Sequence, residues 1–304
     1  MKKLLLVLGI VAALGVGVLA RDLVYPPAKQ PGPTDTSPTG LAMLANQDTQ
    51  PGDETCPAAA AVLPVATVEV AVVLDPTTST ESQFSRDTLA AVISQTANWI
   101  PAKPTQTTAG TPSINGLNLR IKMVGSNPYA YGASESYIQL PGVSGLPARP
   151  DISLCPSALD DGSYQAWTAA QASWSSDYDT ALAALDQAVE RLEAIDLTVS
   201  DAELSGIKAA VSALASATPA AGLVRYLVAS DLDETTAPQT AGSLDGQPLI
   251  IVHACPEGVA SLCQDRLDEF SSWATGQMQA GSVSVYRPEQ LASAVAAAFE
   301  GAAP

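Results

Sequence analysis

Asp75, Thr77 and Ser79 stand at alternate positions in the segment Asp75-Pro76-Thr77-Thr78-Ser79-Thr80-Glu81. Alternate residues of a short extended loop can face one way, so this spacing gathers one carboxylate and two hydroxyls. Such oxygens are the hard ligands that magnesium, manganese and calcium accept. A second segment, Ser230-Asp231-Leu232-Asp233-Glu234-Thr235, supplies further carboxylates at the same end of the sheet. The same residues have a plainer use. Thr78-Ser79-Thr80-Glu81 has capping-box spacing, with Thr78 as the cap and Glu81 three residues on, and Ser79 or Thr80 could cap the helix instead. Asp231 and Asp233 also suit ordinary turns. Capping and coordination do not exclude each other, since a ligand hydroxyl can lie at a helix start.

These loops need elements to position them, and the flanking pattern supplies strands alternating with helices. Ala66–Leu74 (ATVEVAVVL), Leu223–Ala229 (LVRYLVA) and Pro248–His253 (PLIIVH) are apolar runs of buried-strand type. Leu117–Val124 alternates as a strand, Tyr137–Leu140 reads as a short antiparallel edge strand, and Ser282–Tyr286 is the last strand. Helical spacing runs through Ser82–Ile100, Ser163–Ile195, Asp201–Ala215, Val259–Met278 and Pro288–Phe299. This order implies an α/β fold: a doubly wound, mostly parallel sheet with helices on both faces. Ligands of such sheets sit at the carboxyl ends of the strands, where the loops after Leu74, Ala229 and His253 belong. Ser163–Ile195 is an elongated helical insertion. Its Trp167, Trp174, Tyr178, Leu182, Leu185, Val189 and Leu192 lie on one stripe, which either packs on the sheet or offers an aromatic face to a partner.

On these residues the chain resembles a von Willebrand factor A-type domain. Its metal-ion-dependent adhesion site begins Asp-x-Ser-x-Ser after the first strand, adds a Thr from the loop before the third helix, and adds an Asp after the fourth strand. Asp75, Thr77 and Ser79 fit the opening motif, with Thr77 in place of the usual serine, and Asp231 fits its end, with Leu232 where glycine is common. The middle ligand would come from Leu197-Thr198-Val199-Ser200-Asp201, by Thr198 or by Ser200. The resemblance runs from about Ala66 to Pro304. It implies a divalent cation, Mg2+ foremost with Mn2+ or Ca2+ as alternatives, whose open position takes an acidic group of a protein partner.

Other chemistries find little support. No Gly-x-Ser-x-Gly elbow and no Gly-rich phosphate loop occurs, and a single histidine, His253, makes a Ser-His-Asp triad improbable. Asp160 and Asp161 suit a helix N-terminus. A net charge of −17, from 14 basic and 31 acidic residues, argues against nucleic acid and anionic membrane surfaces. Four cysteines form an even set: Cys255–Cys263 closes a short loop and leaves Cys56–Cys155, while His253 with Cys255 and Cys263 offers a zinc alternative short of a fourth ligand.

Met1-Lys2-Lys3 followed by an uncharged run from Leu4 to Ala20 reads as an export segment, either a signal cleaved after Ala20 or a retained anchor. Residues 1–22 are thus expected to be signal or anchor, 23–60 a Pro-, Thr- and Gly-rich linker, and 61–304 the globular domain. The expected protein is not an enzyme. It is an exported, membrane-tethered binding domain, held at the cell surface or secreted, that mediates cation-dependent protein interaction or adhesion. The alternatives are a structural or assembly component of the same fold without a functional metal, and an extracellular metal-dependent hydrolase.

Overall fold

Valine and leucine fill one face of Thr67–Leu74 (β1), and seven of its eight residues are buried. The computed structural model describes residues 65–77, 80, 82–124, 135–156, 159, 162–198, 205–217, 224–235, 242–255 and 258–300, all within the unit Glu54–Pro304. The proposed signal or anchor, the linker to residue 60 and Cys56 lie outside them, as do Thr78, Ser79, Glu81 and Ser200.

After β1 come α1 (Ser82–Ala97), β2 (Gly116–Met123), β3 (Glu135–Leu140), α2 (Ser163–Glu193), α3 (Ile207–Ser216), β4 (Val224–Ser230), β5 (Pro248–His253), α4 (Ala260–Gly276) and β6 (Ser282–Tyr286). A 3-10 turn, Pro288–Gln290, then leads into α5 (Leu291–Glu300). The last helix therefore starts later than the apolar spacing suggests. Pro288 initiates the turn, and regular helix begins only at Leu291. Similarly, α3 begins at Ile207: the Ser205 backbone is bonded to Thr235, and Gly206 is the N-cap, whose carbonyl accepts from the Ala210 N–H.

The six strands form one sheet in the order β3-β2-β1-β4-β5-β6. Every neighbouring pair is parallel except β2 with β3, which makes β3 an antiparallel edge. The architecture is α/β and Rossmann-like, as the strand and helix alternation indicates. Alternation along β1 sends Val68, Val70, Val72 and Leu74 into one core and Ala71 and Val73 into the other. The first core lies under α1, α2 and α5, the second under α3 and α4. On the second face Glu69 of β1 is buried against Arg120 of β2 at 3.5 Å, and Arg120 also donates to the Ala217 carbonyl at the carboxyl end of α3.

The 31-residue α2 is about 46 Å long at the usual rise. Its buried residues are Trp167, Trp174, Tyr178, Ala181, Leu185, Ala188 and Leu192, a four-three spacing that turns one stripe inward. The aromatic stripe is therefore core rather than an open face. Its polar ends are satisfied within the fold: Trp167 Nε1 donates to the Pro147 carbonyl at 2.9 Å, and the Tyr178 hydroxyl donates to the Pro101 carbonyl at 2.8 Å.

Strand order decides where a ligand can enter. From β1 the sheet grows one way, through β2 to β3. From β4 it grows the other way, through β5 to β6. Connections leaving adjacent strands in opposite directions leave a crevice beyond their carboxyl ends. Here that point lies just past Leu74 and Ser230, with Leu74 level with Ala229 in the parallel register.

Candidate functional site

The two residues that leave those strands are Asp75 and Asp231, and both are buried, at 0% and 1% exposure. Asp75 is held by its own backbone, whose N–H donates to the Ala229 carbonyl at 3.3 Å, and by the Ser85 hydroxyl of α1, which donates to the Asp75 carbonyl at 2.7 Å. Its carboxylate collects hydroxyl donors. Thr77 Oγ1 donates to Oδ1 at 2.5 Å, and Ser230 Oγ donates to Oδ2 at 2.5 Å. Thr80 Oγ1 stands 3.1 Å from Asp75 Oδ2 and 3.2 Å from Asp231 Oδ1. A hydroxyl carries one proton, so Thr80 can donate to only one of these carboxylates at a time while lying within reach of both. Burial pushes the Asp75 carboxyl above the ordinary aspartate value. The Ser230 and Thr77 hydrogen bonds pull against that, and the charge of Asp231 adds to it.

The Asp231 loop is shaped by its own side chains. The Leu232 N–H donates to Ser230 Oγ at 2.9 Å, and the Asp233 N–H donates to Asp231 Oδ1 at 3.1 Å. Leu232 adopts φ 59, a left-handed conformation that suits glycine, and a leucine there carries strain. What holds it is packing, since its side chain is buried in the second core. The glycine expected by the resemblance is thus replaced by a residue that trades backbone ease for an anchor. His253, at the end of β5, places Nε2 3.3 Å from the Asp231 carbonyl. Burial holds the imidazole below its ordinary pKa.

Arg266 of α4 closes the second side. Its guanidinium lies 2.8 Å from Asp233 Oδ1 and 3.8 Å from Asp231 Oδ2. Cys255 and Cys263 form a disulfide with Cα atoms 5.8 Å apart, which ties the first turn of α4 to the chain just beyond β5. That bridge takes both sulfurs that a zinc site at His253 would need. Cys155 is disulfide-bonded as well, and Cys56, its expected partner, is outside the described residues.

Of the residues singled out in the sequence, the fold brings Asp75, Thr77 and Asp231 together. Thr198 is not among them: it is exposed, and both its N–H and its hydroxyl bond to Asp196. It faces a groove of about 470 Å³ that it shares with Pro76 of the first loop and with Arg86 and Ile93 of α1. Ser79 and Ser200 lie outside the described residues. The same connection reaches the Asp231 loop further along, at Ser205, whose N–H donates to Thr235 Oγ1 at 2.6 Å while its carbonyl accepts from the Thr235 N–H at 2.9 Å. Ser205 is 1% exposed, and its hydroxyl has no partner among the described residues. Thr80, Ser230 and Arg266 were not legible as site residues. The first two carry only the signal of hydroxyls beside carboxylates, and Arg266 carries none, because its role depends on α4 lying beside the Asp231 loop.

The donor set suits a hard divalent cation. Two carboxylates and the hydroxyls of Thr77 and Thr80 supply oxygen, and a hydroxyl that donates a hydrogen bond to a carboxylate keeps lone pairs for a metal. Among the described residues no three His, Cys, Asp or Glu side chains gather as a metal cage; this cluster rests on two carboxylates and on hydroxyls.

No family model matches the chain, and no curated protein matches it. A solved structure, an aerotolerance-related membrane protein from Bacteroides fragilis NCTC 9343 carrying multiple mutations to serines, is similar at 12% identity. The alignment covers 77% of this chain and 97% of that one, with a TM-score of 0.30. So loose a likeness decides neither family nor function.

Proposed function

We propose that this protein is an exported, membrane-tethered binding domain of von Willebrand factor A type, which takes a divalent cation and presents it to an acidic group of a protein partner. The observation that carries the reading is the pairing of Asp75 and Asp231 at the carboxyl ends of adjacent parallel strands, within reach of one Thr80 hydroxyl. Asp75, Thr77 and Asp231 would hold the ion, with Ser79 and the connection that carries Thr198, Ser200 and Ser205 as further sources of oxygen. Bound there, the ion would supply a Lewis-acidic position for a carboxylate from outside. Tethering rests on the basic, apolar start of the chain and the Pro-rich stretch behind it.

A second reading, a structural or assembly domain with no functional metal, is favoured by the completeness of the internal pairing. Asp75 takes Thr77, Thr80 and Ser230 as hydroxyl donors, and Asp231 has Arg266. Titration with Mg2+, Mn2+ and Ca2+, followed by calorimetry and by melting temperature, separates the two. Stoichiometric binding lost in Asp75→Ala supports the metal reading. No binding at millimolar concentration of any of the three ends it and leaves the structural one.

A further inference from the structure

Arg266 splits one carboxylate with the cluster. Asp231 Oδ1 is turned to the Thr80 hydroxyl at 3.2 Å, while Oδ2 lies 3.8 Å from the Arg266 guanidinium. We propose that Arg266 is an intramolecular counter-cation for this site, sharing Asp231 with the divalent cation and limiting how tightly that cation is held. The inference rests on the metal reading given above and adds to it a residue that nothing in the motif supplies.

The charge balance supports it. Asp75, Asp231 and Asp233 bring three carboxylates, and Arg266 is the cation paired with two of them. A guanidinium keeps its charge at any physiological pH, so its effect on a neighbouring metal is constant repulsion and does not titrate. The Asp231 side chain is 2% exposed and that of Arg266 21%, so solvent screens the interaction only in part.

The position of Arg266 is built. Cys263, one turn earlier on the same helix, is bonded to Cys255. The chain between β5 and Cys255 is fixed to the end of β4, since the Ala254 N–H donates to the Ser230 carbonyl at 3.0 Å and His253 meets the Asp231 carbonyl. The helix that carries Arg266 is therefore stapled to the strand end that carries Asp231. Arg266→Gln suits a half-exposed helical position, because glutamine is a good helix former.

The test uses the full chain with its disulfides intact, and MgCl2 and MnCl2 as probes. Wild type, Arg266→Gln, Arg266→Lys and the double variant Arg266→Gln/Asp231→Asn are compared by calorimetry and by cation-dependent melting temperature. Removing one charge about 4 Å from a shared carboxylate should tighten Arg266→Gln by about tenfold. Arg266→Lys, which keeps the charge, should stay within about twofold of wild type, and the double variant should lose the gain. Wild type that binds, with Arg266→Gln equal or weaker, overturns the inference and leaves the metal reading standing. Binding by Arg266→Gln alone means that the native site takes no cation, which ends the metal reading and this inference with it. No binding by either variant ends both.

Discussion

Ser230 donates its hydroxyl to Asp75 Oδ2 at 2.5 Å, across the junction of the two central strands. Ser230 Oγ also accepts from the Leu232 N–H at 2.9 Å, so one small side chain ties the end of β1 to the turn that carries Asp231. With Ser230 fully buried, neither bond has a water substitute close by.

Ser230→Ala should therefore destabilise the metal-free protein by about 2 kcal/mol, the usual cost of losing a hydrogen bond to a charged, buried group. Chemical denaturation measures it. A loss below about 0.5 kcal/mol would show that Thr77 and Thr80 satisfy Asp75 without it.

On the proposed cation-binding reading, the raised pKa of Asp75 would give that binding a pH dependence. The proton stays on Asp75 to a higher pH than on an ordinary aspartate, and a cation must displace it. Cation-dependent stabilisation is thus expected to grow as pH rises above the usual carboxylate range, with proton release on binding. Calorimetry in buffers of different ionisation enthalpy detects the released proton, and a flat profile between pH 4 and pH 7 would contradict it.

His253 acts on stability in a defined direction. Its folded pKa lies below the ordinary 6.5, so the unfolded chain binds more protons in the window between the two values. Its contribution is fully present above about pH 6.5 and is lost as pH falls through the folded pKa. Denaturation midpoints measured from pH 7.5 downward should fall more steeply for wild type than for His253→Gln, and parallel curves would refute this.

Removing the Cys255–Cys263 bridge as Cys255→Ser/Cys263→Ser should cost about 2–3 kcal/mol, from the entropy of closing so short a loop. Mass mapping of unreduced, denatured protein should find neither cysteine alkylated. Recovery of stoichiometric zinc in place of the bridge would contradict it.

The fold itself was largely legible in the residues. Continuous apolar runs such as Thr67–Leu74 can be satisfied only as strands covered on both sides, and the four-three spacing from Trp167 to Leu192 can bury only one stripe of a helix. These are local periodicities, and tertiary packing had no reason to override them. The pairing of Cys255 with Cys263 was likewise within reach, because they stand 8 positions apart and a short loop closes readily.

The chain by itself also marked Asp75, Thr77 and Asp231 by type and by position after an apolar run. It could not place Thr198, which turned to Asp196 two residues away, because a short side chain in a loop takes the nearest partner. Nor could it find Thr80 between Asp75, 5 positions before it, and Asp231, 151 positions after it, or Arg266 beside Asp231. Those relationships exist only once β1 pairs with β4 and α4 docks behind them. Strand order is a property of the whole sheet, and it alone decides which loop ends meet and which charges must share one space.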